Sequence, residues 1–209
     1  AQRPLRARCE VVSATSASQA YYLLISKAES AQRRTCYVAR FDKLAKTWSE
    51  IRLPGDSEDF RQLTSIGDRC FAIGRKLICL EKKSKLEKPI VLSADATYTR
   101  IDQSTPNEAW VTSATAVKEA MVFIKVTHIR CAAGKVEKED FALDDMPQWA
   151  GSNNGAPAYV SGHDFFVRKG KKWMSTPLDF GKAKAVSEVY LSDSGAAVLV
   201  ARDAVFWKS

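Results

Sequence analysis

The chain has 209 residues, of which 45% are hydrophobic and 27% charged, with a formal net charge of +8. That length and balance can bury a core without external staples and exclude an intrinsically disordered chain. No run of about 18 apolar residues occurs, so a transmembrane helix is excluded as well. The start Ala1-Gln2-Arg3 shows no signal peptide and fits a mature, trimmed chain, while the positive charge favours an acidic partner or surface without deciding the fold.

Taken in order, the chain reads as short strands between polar turns. A strand is expected from Leu5 to Ser13, followed by a small polar connector, Ala14 to Gln19. Tyr21–Ser26, Thr35–Phe41 and a strand holding Trp48, Ile51 and Leu53 follow, the last stopped by Pro54-Gly55. The next unit opens with Phe60–Ile66, continues through the hairpin CFAIGRKLICLE (Cys70 to Glu81), and closes with Pro89–Leu92 after a lysine-rich turn, Lys82 to Lys88. A third unit runs through Thr97–Ile101, Ala109–Thr112 and Ala120–Arg130 to Phe141–Leu143. It is longer than its neighbours, which suggests an insertion around Val126–Cys131. The fourth holds Trp149, a hairpin from Ala158 and a strand from Trp173 to Phe180. The fifth has Val186–Leu191 and a hairpin from Ala197, and is one strand short.

The hairpin from Cys70 carries the fold argument because it recurs. AYVSGHDFFVRK and AVLVARDAVFWK align with it, so that Gly74-Arg75, Gly162-His163 and Ala201-Arg202 become equivalent two-residue turns. Four short strands per unit of about 40 residues, without helical periodicity, predict an all-β, five-bladed β-propeller as one domain over residues 1–209. Borrowing the strand Leu5–Ser13 to complete the last blade would close the ring and remove its exposed edges. The rival architecture is a β-sandwich, which does not explain the regular return of the hairpin.

A two-residue turn at Gly74-Arg75 would set Cys70 opposite Cys79 in a non-hydrogen-bonded pair, with Cα atoms about 4.5 Å apart, as a disulfide requires. That bridge would place the protein in an oxidising compartment, periplasmic or secreted. If both are buried thiols instead, the expected compartment is the cytoplasm. Cys9, Cys36 and Cys131 lack the spacing of a metal site, and no cofactor motif occurs.

In a propeller, turns between third and fourth strands share one rim, and this rim is basic in sum: Asp42–Thr47, Glu81–Lys88 and Arg168–Lys172 are positive, and Ala133–Asp140 alone is negative. Links between blades and turns between second and third strands share the other rim. There Asp56, Glu58, Asp59, Asp95, Asp144 and Asp145 meet Arg33, Arg34, Arg75, His163 and Arg202, a mixed-charge set suited to docking a protein. Trp48 and Trp173 each stand near the start of a unit's last strand, where a large ring would pack between blades. Nucleic-acid binding would need aromatics interleaved with the lysines, and only Trp173 approaches that. His128 and His163 lie in no catalytic motif, so a non-enzymatic binder is expected. The alternatives are a lectin-like propeller using Trp110 or Trp149, and a hydrolase using converging acids such as Asp95, Asp145 and Glu188.

The stretches LAKTWSEIRLP and RKGKKWMSTPLDF resemble degenerate blades of small bacterial five-bladed propellers, of the kind found in immunity proteins that neutralise secreted antibacterial toxins. The resemblance implies a monomer when unbound, with a toxin domain as partner and its active site occluded. It transfers no functional residue.

Overall fold

A computed structural model of the chain describes residues 9–28, 34–55, 59–80, 90–93, 97–117, 121–132, 135–178, 186–191, 197–201 and 205–208. Among them the chain is all-β, built from antiparallel meanders. The first sheet comprises β1 (Cys9–Ala17), β2 (Ala20–Ala28), β3 (Arg34–Asp42) and β4 (Trp48–Arg52). The second comprises β5 (Phe60–Ile66), β6 (Arg69–Gly74), β7 (Leu77–Leu80) and β8 (Ile90–Ser93). The third has β9 (Thr97–Thr105), β10 (Glu108–Val117), β11 (Met121–Ala132) and β12 (Lys135–Leu143). The fourth has β13 (Trp149–Asn153), β14 (Ala156–Ser161), β15 (Asp164–Lys169) and β16 (Lys172–Pro177). The last sheet is three-stranded: β17 (Val186–Leu191), β18 (Ala197–Ala201) and β19 (Val205–Lys208).

The first four sheets stack face to face in chain order, with apolar side chains meeting at each interface. Tyr22, Leu24 and Val38 of the first sheet meet Leu63, Cys70, Ala72 and Ile78 of the second. Phe71, Ile73, Leu77 and Cys79, on the other side of the second sheet, meet Ala109, Val111 and Ile129 of the third. Trp110, Val126 and Phe141, on the far side of the third, meet Ala150 and Tyr159 of the fourth. First strands follow one another as well: β1 packs on β5, β9 on β13 and β13 on β17.

Four sequence expectations need correction. Among the described residues the N-terminal strand does not complete the last sheet: Cys9–Ala17 is the first strand of the first sheet and pairs with β2, and the part of the expected strand before Cys9 lies outside the described residues. Ala17 stands opposite Ala20 across a two-residue turn. A hairpin that local costs little closure entropy, whereas pairing the chain's two ends costs more. The third sheet has no insertion at Val126–Cys131; its four strands are simply long, and the stretch read as a turn from Ala133 to Asp140 is mostly β12. Trp48 does not lie between sheets. It is 42% exposed, against Phe41, in a cross-strand row with Tyr21.

The fourth correction is the disulfide. Ile73 pairs with Leu77, so the turn holds three residues, Gly74, Arg75 and Lys76, and not two. Arg75 N–H donates to the Asp59 carbonyl at 2.8 Å, which ties the turn to the preceding link. Gly74 is required there, because a Cβ would collide with the Asp59 backbone. A slip of one residue turns side chains to the opposite face. Cys70 therefore pairs with Leu80 and faces the first sheet, while Cys79 pairs with Phe71 and faces the third. All five cysteines are thiols. The equivalent turn at Gly162-His163 does have two residues, with Gly162 at φ 60°. The one at Ala201-Arg202 is longer, since Val200 pairs with Val205.

Candidate functional site

The alternation that seals the first two interfaces changes character between the third and fourth sheets. On the face of the third sheet toward the fourth, cross-strand rows follow from the register. Ala114, Ile124 and Leu143 form one row, and Thr112, Val126 and Phe141 the next. Then come Trp110, His128 and Glu139, and finally Glu108, Arg130 and Glu137. The first two rows pack against Ala150, Tyr159, Phe166 and Trp173. Trp173 packs between sheets as its position implied, its indole N–H donating to the Ala142 carbonyl at 3.1 Å. Beyond Trp110 the facing residues are Ser152, Gly155 and Pro157, too small to fill the gap. A cleft of about 420 Å³ opens there.

Trp110 and His128 form its inner wall. Their rings stack at 4.0 Å with 6° between planes. Trp110 is only 2% exposed, and its indole Nε1 has no hydrogen-bond partner among the described residues. Thr112 Oγ1, one row deeper, is buried without one too. Such buried donors cost free energy unless something accepts from them. His128 Nε2 lies 3.8 Å from Glu108 Oε2, beyond hydrogen-bond range. Burial holds the His128 pKa below the ordinary value; Glu108 opposes the shift and Arg130 adds to it.

The charges at the mouth are unevenly matched. Arg130 Nε binds Glu108 Oε1 at 2.7 Å, and Lys138 Nζ binds Asp140 at 3.2 Å. Glu137 and Glu139, both exposed, make no ion pair among the described residues. Asp102, paired with Trp110 in the β9–β10 register, ties the two sheets together: it accepts from Arg100 Nε at 2.8 and 3.0 Å and from the Ala150 N–H at 3.3 Å. Glu108 follows the Pro106-Asn107 turn, next to a register shift in β9–β10 pairing, a local device that commonly re-aims side chains beside sites.

The residues expected from sequence lie elsewhere. Antiparallel order puts second-to-third turns and inter-sheet links at the opposite end of each meander from the cleft. Asp59 and Arg75 come together there through the backbone bond already described, but the Asp59 carboxylate is held by Lys76 at 2.8 Å. Arg34 is engaged by Glu10 at 2.9 Å and by the Ser26 hydroxyl at 3.0 Å. Asp144 and Asp145 are exposed and join burial in pushing the Tyr159 pKa up to about 12. His163 is exposed in its turn, where its carbonyl accepts from Leu178 N–H at 2.7 Å. Arg33, Asp56, Glu58, Asp95 and Arg202 lie outside the described residues. Of the alternative readings, Trp110 does reach a cleft, but edge-buried under His128, while Trp149 is 7% exposed and part of the packing.

No protein-family model matches the chain, and no curated protein does. Among solved structures it is similar to the extracellular domain assigned to a hybrid two-component system of B. thetaiotaomicron, at 8% identity and a TM-score of 0.44, covering 95% of this chain and 32% of that one. A second is virginiamycin B lyase from Staphylococcus aureus, at 10% identity and 0.37, covering 95% and 83%. A third is the WD40 β-propeller domain of Doa1, at 8% identity and 0.33, covering 95% and 91%. The chain thus spans about a third of the first of these.

Proposed function

We propose that this protein is a β-propeller module that acts by binding a partner protein, and that the cleft between its third and fourth sheets is the receiving site. The propeller reading is supported by meanders that stack in chain order with their first strands in succession. In its full form the ring has five blades and brings the last sheet against the first. The site reading is carried by one observation: Trp110, whose buried N–H has no partner among the described residues, lines a cleft of about 420 Å³. Binding is favoured over catalysis because the cleft lining offers one hydroxyl, Ser152, and no thiol, and because the carboxylate nearest His128 is engaged by Arg130. Capture of a toxin domain, as an immunity protein would perform it, is the most specific form of the proposal.

The test is co-purification with the product of the adjacent gene. Ser152→Trp, which fills the cleft, should abolish the complex while leaving the melting temperature within about 2 °C. Arg75→Glu and Asp145→Lys, at the opposite end, should leave the complex intact. The reverse pattern would move the docking face to the mixed-charge rim and overturn the assignment.

A further inference from the structure

We infer that the occupant of this cleft is a basic side chain, lysine or arginine, presented by the partner protein. The inference rests on the cleft being the receiving site and adds the chemistry of what it receives. Three acids of the lining, Glu108, Glu137 and Glu139, share one face of the third sheet at its open end. Arg130 neutralises the first. Glu137 and Glu139 stand two residues apart on β12, hence about 7 Å apart along the strand, a spacing that one cationic group can bridge. Lys138, between them in sequence, points to the other face of the strand and pairs with Asp140, which Lys125 shares at 3.3 Å. On this face of the third sheet Glu108, Glu137 and Glu139 outnumber Arg130 and Lys135, so the local excess is negative by one charge, although the chain as a whole carries +8. At physiological salt, charges more than about 8 Å away are largely screened, so the cleft's own acids decide what enters.

The second feature is independent of charge. Trp110, 2% exposed, lines the cleft with a buried indole N–H that has no acceptor among the described residues. A peptide supplies both groups at once: a cation for Glu137 and Glu139, and a main-chain carbonyl for the indole. The His128 ring, partly exposed in the cleft and with one face on Trp110, adds a surface for the aliphatic stem or the guanidinium plane. A free amine or guanidine has the cation but no carbonyl.

The experiment follows the Trp110 indole resonance in the ¹H–¹⁵N spectrum of the full chain, assigned with Trp110→Phe. The titrants are a capped Gly-Arg-Gly peptide, the same peptide with citrulline, and agmatine. The arginine peptide should shift the resonance. Citrulline, which keeps the shape and loses the charge, should bind at least about tenfold more weakly, as should the arginine peptide to Glu137→Gln or Glu139→Gln. Both glutamates are exposed, so these variants keep the fold. Equal binding of arginine and citrulline peptides would overturn the basic occupant and leave the cleft as a site. Agmatine binding as tightly as the peptide would overturn the partner-borne source. No shift with any titrant, together with a complex that survives Ser152→Trp, would remove both this inference and the site beneath it.

Discussion

The second and third sheets treat their neighbours differently. In the second, every residue of β7 and all but the first of β6 are buried, and the two faces belong to two separate cores. The third is sealed against the second, but against the fourth it is apolar for half its length and then polar. Small aliphatic side chains let sheets close to contact, whereas the Trp110–His128 stack stands up from its sheet and finds only Ser152, Gly155 and Pro157 opposite. A gap lined by polar groups results. The lesson is that stability and recognition have been separated along single strands, so substitutions at the two ends of β10 or β12 should have unlike consequences.

The largest expected effect lies in the sealed region. Phe71 has no exposed surface and sits in the core between the second and third sheets. Phe71→Ala should cost about 3–5 kcal/mol in urea denaturation. Glu139→Ala, at the open end, should stay within about 0.5 kcal/mol of the parent. Comparable losses in the two variants would erase the contrast between closed and open interfaces.

Next comes the anchor behind the cleft. The Asp102 carboxylate is 11% exposed and Arg100 24%. Removing it in Asp102→Ala leaves both Arg100 and the Ala150 N–H without their acceptor, at a cost of about 1–3 kcal/mol. Asp102→Asn retains an oxygen for the amide, so it should recover part of that loss. If alanine and asparagine behave alike, the bond to Ala150 contributes nothing and the cleft is held by packing alone.

Much of this architecture is legible in the sequence. Alternating apolar residues mark the strands, and the Gly162-His163 turn is correctly placed. What fails is register. Nothing in CFAIGRKLICLE distinguishes a two-residue from a three-residue turn, because Gly74 serves both; the choice is made by the bond from Arg75 N–H to Asp59, sixteen residues earlier in the chain. The site was missed for a related reason. Lys135–Asp140 is so charged that it reads as a turn. Yet Glu137 and Glu139 share the parity of Phe141 and Leu143, which are buried. Acids continuing the buried parity of an apolar strand are the signal that was there to find. The pairing of Trp110 with His128 was not, since it depends on the connection between β10 and β11.

A smaller effect is expected from pH. Burial lowers the His128 pKa in the folded state below the value of 6.5 that it has when unfolded. The unfolded chain then takes up the proton first, so the contribution of neutral His128 is complete above pH 6.5 and is lost as pH falls from there toward the folded value. Asp42 and Asp140 are shifted down from 3.8, and their contributions fade only below that pH. Stability measured between pH 7 and 5 should therefore fall for the parent and fall less for His128→Gln. Parallel curves would mean that the imidazole is not confined as its stack on Trp110 requires.

The smallest effect is a mass that does not change. With Cys70 and Cys79 turned to opposite faces of one sheet, intact mass under non-reducing conditions should equal the reduced mass, without a two-proton deficit. The thiols should also divide by location. Cys9 is half-exposed and should react with a thiol reagent in the native state, whereas Cys36, Cys70, Cys79 and Cys131 should wait for unfolding. Burial raises the pKa of Cys36 and Cys131 to about 11, which suppresses the thiolate further. Modification of Cys70 and Cys79 should follow a single rate, that of global opening, because both belong to sealed interfaces of the same sheet. If Cys79 reacts well before Cys70, the interface with the third sheet opens separately, and the boundary between closed and open regions has to be drawn one sheet earlier.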